Sequence, residues 1–184
     1  MTARAPLLVI AHPQEARAFS DIPHLVTGIG KVSAAITLTR TLEQAEPGAI
    51  NAVVVLGTAG LLNNDKDINT VYQVTSAVQH DFSLGSATLS TAANVIVPDT
   101  AMIATGDVFL KDDAQRRLLR EKGADLVDME TWVYAEVCRR FDLPIQVFKV
   151  PSDYADSSTT DEEWDAIVLQ RSHELRAFYE KHIR

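Results

Sequence analysis

Acidic side chains and glycines mark the points in this sequence where chemistry could take place. Asp128 and Glu130 flank Met129 where an apolar stretch runs into an amphipathic one, and a carboxylate there is costly to keep away from water. Glycines or acids stand at further junctions of this kind, at Glu15, Gly28–Lys31, Gly57–Gly60, Gly106-Asp107 and Ser152-Asp153. Acids accept hydrogen bonds from hydroxyl groups or move protons, and glycines let a ligand approach the backbone. The pattern indicates a ligand site with acid–base capacity.

Alternating strand and helix patterns must position these residues. Short apolar runs predict strands at 7–11, 24–30, 50–57, 70–81, 95–107, 124–129 and 144–150. Apolar residues at helical spacing predict helices at 32–42, 112–123, 131–141 and about 161–182, the last with Trp164 facing inward. Strands that alternate with helices favour a mostly parallel sheet, in which ligands bind outside the carboxyl ends of the strands.

The length and composition fit a single globular domain. The chain has 184 residues, of which 46% are hydrophobic and 23% charged, as in ordinary globular proteins. We predict an α/β fold with one domain over residues 1–184, built as three layers (α/β/α) around a mostly parallel, mixed central sheet.

Charge and cysteine content exclude several classes of function. A formal charge of −8 argues against nucleic acid or an anionic membrane as the main partner. No apolar run is long enough for a membrane span or a secretory signal, so we expect a cytoplasmic protein. The single cysteine, Cys138, excludes an internal disulfide and a cysteine-rich metal site. Histidines and acids show no metal-ligand spacing such as H-E-x-x-H, so no metal is expected.

The "GIGK" stretch at 28–31 fails both common nucleotide-binding patterns. A Walker A loop needs a glycine at position 25 and Ser or Thr after the lysine, whereas Leu25 and Val32 stand there. A dinucleotide fingerprint needs a third glycine where Ser33 stands. Taken alone, this stretch is more typical of a tight strand-to-helix turn than of a ligand loop, and an ordinary dinucleotide-binding domain is disfavoured.

Taken together, seven short motifs resemble the nucleoside phosphorylase superfamily, and most closely the methylthioadenosine/S-adenosylhomocysteine nucleosidases. They are "A-x-x-x-E" (11–15), "TGIGKVSAA" (27–35), "GTAGLL" (57–62), "VQHD" (78–81), "ATGDVF" (104–109), "DME" (128–130) and "SDYAD" (152–156). They span almost the whole chain in the family's order. The resemblance implies a nucleoside phosphorylase-like fold, a purine nucleoside as the small-molecule partner, no cofactor and a homodimer.

Two features depart from the family. Only twelve residues separate Glu15 from Gly28, where the family usually has a hairpin, and few lie between His80 and Ala104, where it has a substrate-covering loop. The family usually has Met where His12 lies. These departures affect the pocket for the 5′ substituent and the approach to the sugar.

The resemblance implies hydrolysis of an N-ribosidic bond through a sugar that resembles an oxocarbenium ion. Asp153 would donate a proton to the purine N7, with Ser152 orienting it, and Glu15 would be the general base that activates water. Each acid also has a simpler explanation. Asp153 could cap a helix, and Glu15 could be a solvated helix residue.

The resemblance assigns sugar and base contacts to the remaining candidates. Glu130 would accept hydrogen bonds from the ribose hydroxyls beside the backbone of Met129, and Thr58 and Gly60 would line the sugar face. Phe109 would stack on the purine while the backbone of Leu110 reads the base edge. Compensation of a helix dipole by Glu130 and ordinary core packing by Phe109 are the simpler alternatives. For Asp128 we expect a supporting role, such as pairing with Arg or Lys.

Other functions remain open at the sequence level. Phosphorolysis would require arginines for the phosphate, as the related phosphorylases have, and the third strand, "NAVVVLGTAG", contains none. Arg17 follows Glu15 but should project along a helix. Water is therefore the expected acceptor. The alternatives are a purine nucleoside phosphorylase, a futalosine hydrolase, or a non-catalytic nucleoside-binding protein. A non-catalytic protein would be expected to lose at least one of Glu15, Glu130 and Asp153, and all three are present.

Overall fold

The structure is a computed structural model that describes residues 5–158 and 161–184, with side chains of 161–165 excepted. Its strands are β1 (Ala5–Ile10), β2 (Leu25–Val26), β3 (Ile50–Leu61), β4 (Tyr72–Gln79), β5 (Leu89–Ser90), β6 (Thr100–Thr105), β7 (Leu126–Asp128) and β8 (Ile145–Asp153). Its helices are α1 (Lys31–Gln44), α2 (Asp113–Glu121), α3 (Thr131–Arg140) and α4 (Asp161–His182), with a 3-10 turn at Arg17–Phe19. The predicted inward position of Trp164 lies outside the described side chains.

The sheet is mixed and mostly parallel, as predicted. Five of its eight strand pairs are parallel. β2, β1 and β3 follow one another at one side, and β3 continues through β7 and β6 to β4.

The sheet closes on itself, which the prediction of a sheet lying open between two helical layers did not include. β8 pairs with β3 in parallel and with β4 antiparallel, so that Val147 lies opposite both Val55 and Val74. β3, β7, β6, β4 and β8 thus form a closed five-stranded ring. Closure satisfies both edges of β8 and leaves the ends of several strands around one opening.

Three apolar clusters attach the helices to this sheet. The largest joins α1 and α3 to β1, β3, β4 and β6 around the buried side chains of Leu38 and Tyr134. A second packs the 3-10 turn and α4 against β1, β3 and β8 through Phe19, Phe148 and Leu175. A third packs α2 against β6 and β7. The helices therefore flank the ring on several sides and fix the ends of its strands.

β3 is longer than its sequence pattern predicts. The strand was expected to stop at Gly57, but it continues to Leu61 because pairing with β8 persists to Gly60 and pairing with β7 holds Gly60 and Leu61. Tertiary pairing thus outweighs the low strand preference of glycine. Thr58 and Gly60 consequently lie on the strand itself and not in a loop after it.

None of the described helices is both long enough and apolar enough to cross a bilayer.

Candidate active site

A cavity of about 280 Å³ opens where the strands of the ring end. The nine residues predicted to form the site all line it, namely Glu15, Thr58, Gly60, Phe109, Leu110, Met129, Glu130, Ser152 and Asp153. Their positions span most of the chain, so the closed sheet is what brings them together. His12, Ile29 and Val108 also contribute to its wall.

Glu15 lines the cavity and is held in place by hydrogen bonds from β3. One carboxylate oxygen, Oε1, accepts hydrogen bonds from the backbone N–H and the hydroxyl of Thr58, at 2.6 and 2.7 Å. The other, Oε2, accepts from the backbone N–H of His12 at 3.1 Å. The Ser172 hydroxyl of α4 donates to the carbonyl oxygen of Glu15, which fixes the turn itself. Glu15 is 4% exposed, so it is not the solvated helix residue that its local sequence allowed.

Gly57 allows two charged groups to approach each other across β3. A Cβ atom at this position would lie 3.1 Å from Lys149 Nζ and 3.3 Å from Glu15 Oε1. These distances are tighter than ordinary contacts, so a side chain there would displace one of the two groups. Gly57, the first glycine of "GTAG", therefore has a packing role beside the cavity.

Glu130 faces the cavity from the start of α3. Its side chain makes no capping bond to α3, and Oε1 instead accepts the backbone N–H of Gly30 at 2.7 Å, at the beginning of α1. Burial, with the nearby negative charge of Asp128, raises the pKa of Glu130 from 4.5 to about 8. A carboxyl group with this pKa is mostly protonated at neutral pH.

Asp128 and Lys149 form a buried ion pair behind Glu130. Lys149 Nζ lies 3.0 Å from Asp128 Oδ2, and both side chains are almost completely buried. Asp128 also accepts hydrogen bonds from the hydroxyls of Thr105 and Thr131. Burial alone would lower the pKa of Lys149, but Asp128, Glu15 and Glu130 outweigh that effect and hold the pKa above its ordinary value.

The supporting role expected for Asp128 is therefore that of a partner to a lysine. The sequence prediction did not include Lys149. The signal was present, because a lone lysine is the single charged residue of the strand "PIQVFKV", and buried lysines are rare unless they are paired.

Asp153 ends β8 and turns toward the cavity. Its Oδ2 accepts the Ser152 hydroxyl at 2.6 Å, and its Oδ1 accepts the backbone N–H of Ala155 at 2.7 Å. The bond to Ala155 closes a local turn, and residues 154–158 are not helical, so Asp153 does not cap a helix there. Ser152 lies where the sequence prediction placed it, beside the carboxylate.

Phe109 stands at the mouth of the cavity and is not ordinary core. It is 42% exposed, whereas Leu110 beside it is buried. Lys111 Nζ lies 5.1 Å from the centre of the Phe109 ring. An exposed aromatic face at a cavity mouth is available for stacking on a planar ligand.

A polar network braces the loop that carries Phe109. Asp107 Oδ1 accepts the backbone N–H of Lys31, and Asp81 bonds both Lys31 Nζ and the backbone N–H of Asp107. Asp81 therefore pairs with Lys31. The His80 ring packs against Gly106. Burial lowers the pKa of His80. Asp107 therefore has a structural role in this loop.

Cations are scarce in the cavity wall. Among the described residues that line it, none is Arg or Lys. Arg17 is exposed and bonds Gln14, outside the cavity. Among the side chains that the structure describes, those of residues 5–158 and 166–184, no group of three His, Cys, Asp or Glu is arranged to hold a metal ion.

Comparison with known proteins assigns the chain to a family. The model of the phosphorylase superfamily matches residues 24–89 and 86–181. The chain is 29% identical, over 85% of its length and 78% of the relative's, to the 5′-methylthioadenosine/S-adenosylhomocysteine nucleosidase of Anoxybacillus flavithermus. This chain belongs to the phosphorylase superfamily.

Two solved structures share the fold over nearly the whole chain. Futalosine hydrolase of Helicobacter pylori superposes with a TM-score of 0.84 at 22% identity, covering 96% of both chains. A mutant of the methylthioadenosine/S-adenosylhomocysteine nucleosidase of the same organism, with 5′-methylthioadenosine in its active site, gives 0.80 at 21% identity and covers 97% of this chain and 99% of the other.

Proposed function

We propose that this protein is a purine nucleosidase that hydrolyses the N-ribosidic bond of a purine nucleoside, releasing the free base and the ribose moiety. The observation that carries the proposal is the convergence of Glu15, Glu130 and Asp153 on one cavity. A non-catalytic binding protein would have no need of all three acids, two of them nearly inaccessible to solvent.

The proposed reaction divides the work among these acids. Asp153 donates a proton to N7 of the purine, and the electron pair of the bond between C1′ and N9 leaves with the base. The sugar becomes an oxocarbenium-like cation. A water oxygen then bonds to C1′, and its proton passes to Glu15. Atoms and charges balance because the proton lost by Asp153 is matched by the one that Glu15 gains.

Glu130 would stabilise the sugar cation. Ribose hydroxyls that displace solvent from the site can donate hydrogen bonds to its carboxylate, and positive charge on the sugar favours ionisation. A carboxyl with a pKa of about 8 is mostly protonated at neutral pH, so nucleoside binding would release that proton to solvent. The carboxylate would then lie beside the developing cation, and negative charge in that position lowers the barrier.

Water is a better acceptor than phosphate in this cavity. The two Thr58 donors that could bind an anion are already occupied by the Glu15 carboxylate. A phosphate dianion would have to sit beside that charge in a wall whose described residues include no arginine. Lys149 is committed to Asp128. Charge therefore opposes phosphorolysis.

5′-Methylthioadenosine and S-adenosylhomocysteine are the first candidates for the substrate, since the relative from Anoxybacillus flavithermus is a nucleosidase named for both. Futalosine is the second candidate, since the fold of its hydrolase superposes with a TM-score of 0.84. Phe109 would stack on the base and the backbone of Leu110 would read its edge. Met129, Thr58 and Gly60 would line the sugar.

We also propose a homodimer. Ile29, Val32 and Ile36 are exposed on the turn before α1 and on its first turns, and Ile29 also lines the cavity. Exposed apolar side chains grouped in this way favour association. Sedimentation equilibrium should give twice the chain mass, and Val32→Lys should shift the protein toward the monomer.

A nucleoside panel tests the function. The protein is incubated with methylthioadenosine, S-adenosylhomocysteine, adenosine, inosine and futalosine, each with and without phosphate, and free base is measured by chromatography. Base release independent of phosphate is expected for at least one nucleoside. Release that requires phosphate would overturn the choice of water, and no release from any of them would favour a binding protein.

A further inference from the structure

The turn after Asp153 holds a backbone conformation that needs outside support. Ala155 has φ of 50°, in the left-handed region that residues with a Cβ atom seldom adopt. Its N–H donates to Asp153 Oδ1, so the conformation of this residue and the direction of the carboxylate are linked. A distortion at Ala155 therefore reaches Asp153 directly.

Arg116 of α2 supplies the support. Its Nε donates to the carbonyl oxygen of Tyr154 at 2.7 Å, between Asp153 and Ala155. Its Nη2 donates to Asn64 Oδ1 at 2.6 Å and to the carbonyl oxygen of Leu61 at 3.3 Å. One guanidinium thus joins the turn to the end of β3, using the fork of donors that lysine lacks.

The same turn is packed tightly against β3 and α2. Ala155 is 2% exposed, and a Cβ atom added at Gly60 would come within 2.7 Å of the Ala155 Cβ. The cluster that contains Ala155 also contains Leu110 and Leu119, so α2 and the loop before it share this packing. The turn and α2 therefore belong to one packed cluster.

We infer that Arg116 is a positioning residue that acts through the Tyr154 carbonyl to hold the Ala155 turn, and thereby aims Asp153 at the leaving base. The inference rests on the proposed function. α2 follows the loop that carries Phe109 and Leu110, so Arg116 links the segment that contacts the base to the acid that would protonate it. Positioning of an acid matters because a displacement of about 1 Å can cost about 100-fold in rate.

The test compares Arg116→Ala with Arg117→Ala, an exposed neighbour on the same helix that serves as the matched control. Arg116→Ala should lower kcat for base release by about 10-fold or more with a much smaller change in KM. The variant loses the orientation of Asp153 but no contact with the substrate. Arg116→Lys should fall in between. Arg117→Ala should behave as the unmodified protein.

A double variant separates positioning from general damage. If Arg116 acts through Asp153, Arg116→Ala should cost nothing further in the Asp153→Asn background. Equal losses in both backgrounds would overturn the inference, as would an unchanged kcat in Arg116→Ala, and the nucleosidase proposal would stand in either case.

Amide hydrogen exchange gives a readout that does not depend on turnover. The Ala155 amide should exchange faster in Arg116→Ala than in Arg117→Ala, with the amides of β3 unchanged. Unchanged exchange would show that Arg116 does not hold the turn. Absence of any nucleoside cleavage by the unmodified protein would instead remove the proposed function and this role together.

Discussion

The Glu15 carboxylate is fixed against Thr58 by two hydrogen bonds to the same oxygen, one from the backbone N–H at 2.6 Å and one from the hydroxyl at 2.7 Å. β3 thereby determines where the carboxylate lies. The other carboxylate oxygen, Oε2, accepts a hydrogen bond from the backbone N–H of His12. A buried acid held at two points is suited to orienting a single water molecule.

Glu15→Gln should lower kcat for base release by about 10²–10⁴-fold, the range usual for loss of a general base. The amide retains the size of the side chain, so the fold should persist. Steady-state assays measure the loss of kcat, and thermal unfolding shows whether the fold persists. Glu43→Gln, on the exposed surface of α1, is the control. Activity in Glu15→Gln close to that of the control would contradict the role.

Asp153→Asn should lower kcat by a similar factor, because an amide cannot donate the proton that the purine leaving group needs. The expected loss appears mainly in kcat, since the site still binds the nucleoside. Asp156→Asn tests a neighbouring acid that bonds Ser158 and does not line the cavity, and it should remain active. Equal losses in the two variants would argue against a proton donor at 153.

Glu130 should make the free energy of unfolding depend on pH. Its pKa is about 8 in the folded protein against 4.5 ordinarily, so between these values the folded state holds a proton that the unfolded state has released. Its contribution to stability therefore declines as pH rises from 4.5 to 8, by up to about 1.4 kcal/mol per pH unit.

Glu130→Gln removes this titration. Urea denaturation at pH 5, 6.5 and 8 should show the variant gaining stability relative to the unmodified protein as pH increases. Parallel curves for the two proteins would mean that the folded-state pKa of Glu130 is close to its ordinary value.

Lys149→Met should destabilise the fold by about 3–5 kcal/mol, because Asp128 is left as an uncompensated buried charge. The double variant Lys149→Met/Asp128→Asn should recover much of that loss. Urea denaturation measures both, with Lys122→Met as an exposed control. A single variant as stable as the control would show that the pair is not buried as the structure has it.

The sequence allowed the candidate residues to be grouped because their signals are local. Asp128 ends β7 and Asp153 ends β8, while Glu15 lies in the turn that follows β1. The carboxyl ends of parallel strands lie at the same edge of a sheet. Strand-end positions pointed to the acids and to Thr58 and Gly60, whereas Phe109 and Leu110 were proposed from the family resemblance. Their chemical roles stay predictions until the variants are measured.

The features that the sequence did not predict depend on long-range pairing. Closure of the sheet requires β8 to bond β4 antiparallel across about 75 residues, and no local pattern encodes that partner. The Lys149–Asp128 pair follows from the same closure, because β8 carries Lys149 into the ring. Arg116 contacts main-chain carbonyls, which have no sequence signature.

The most direct measurement of the central proposal is cleavage of the nucleoside that the panel identifies, carried out in water enriched in oxygen-18 without phosphate. Mass spectrometry of the sugar product should show one heavy oxygen, bonded to C1, and the base should carry none. A sugar without the label, or a sugar phosphate formed only when phosphate is added, would contradict the account.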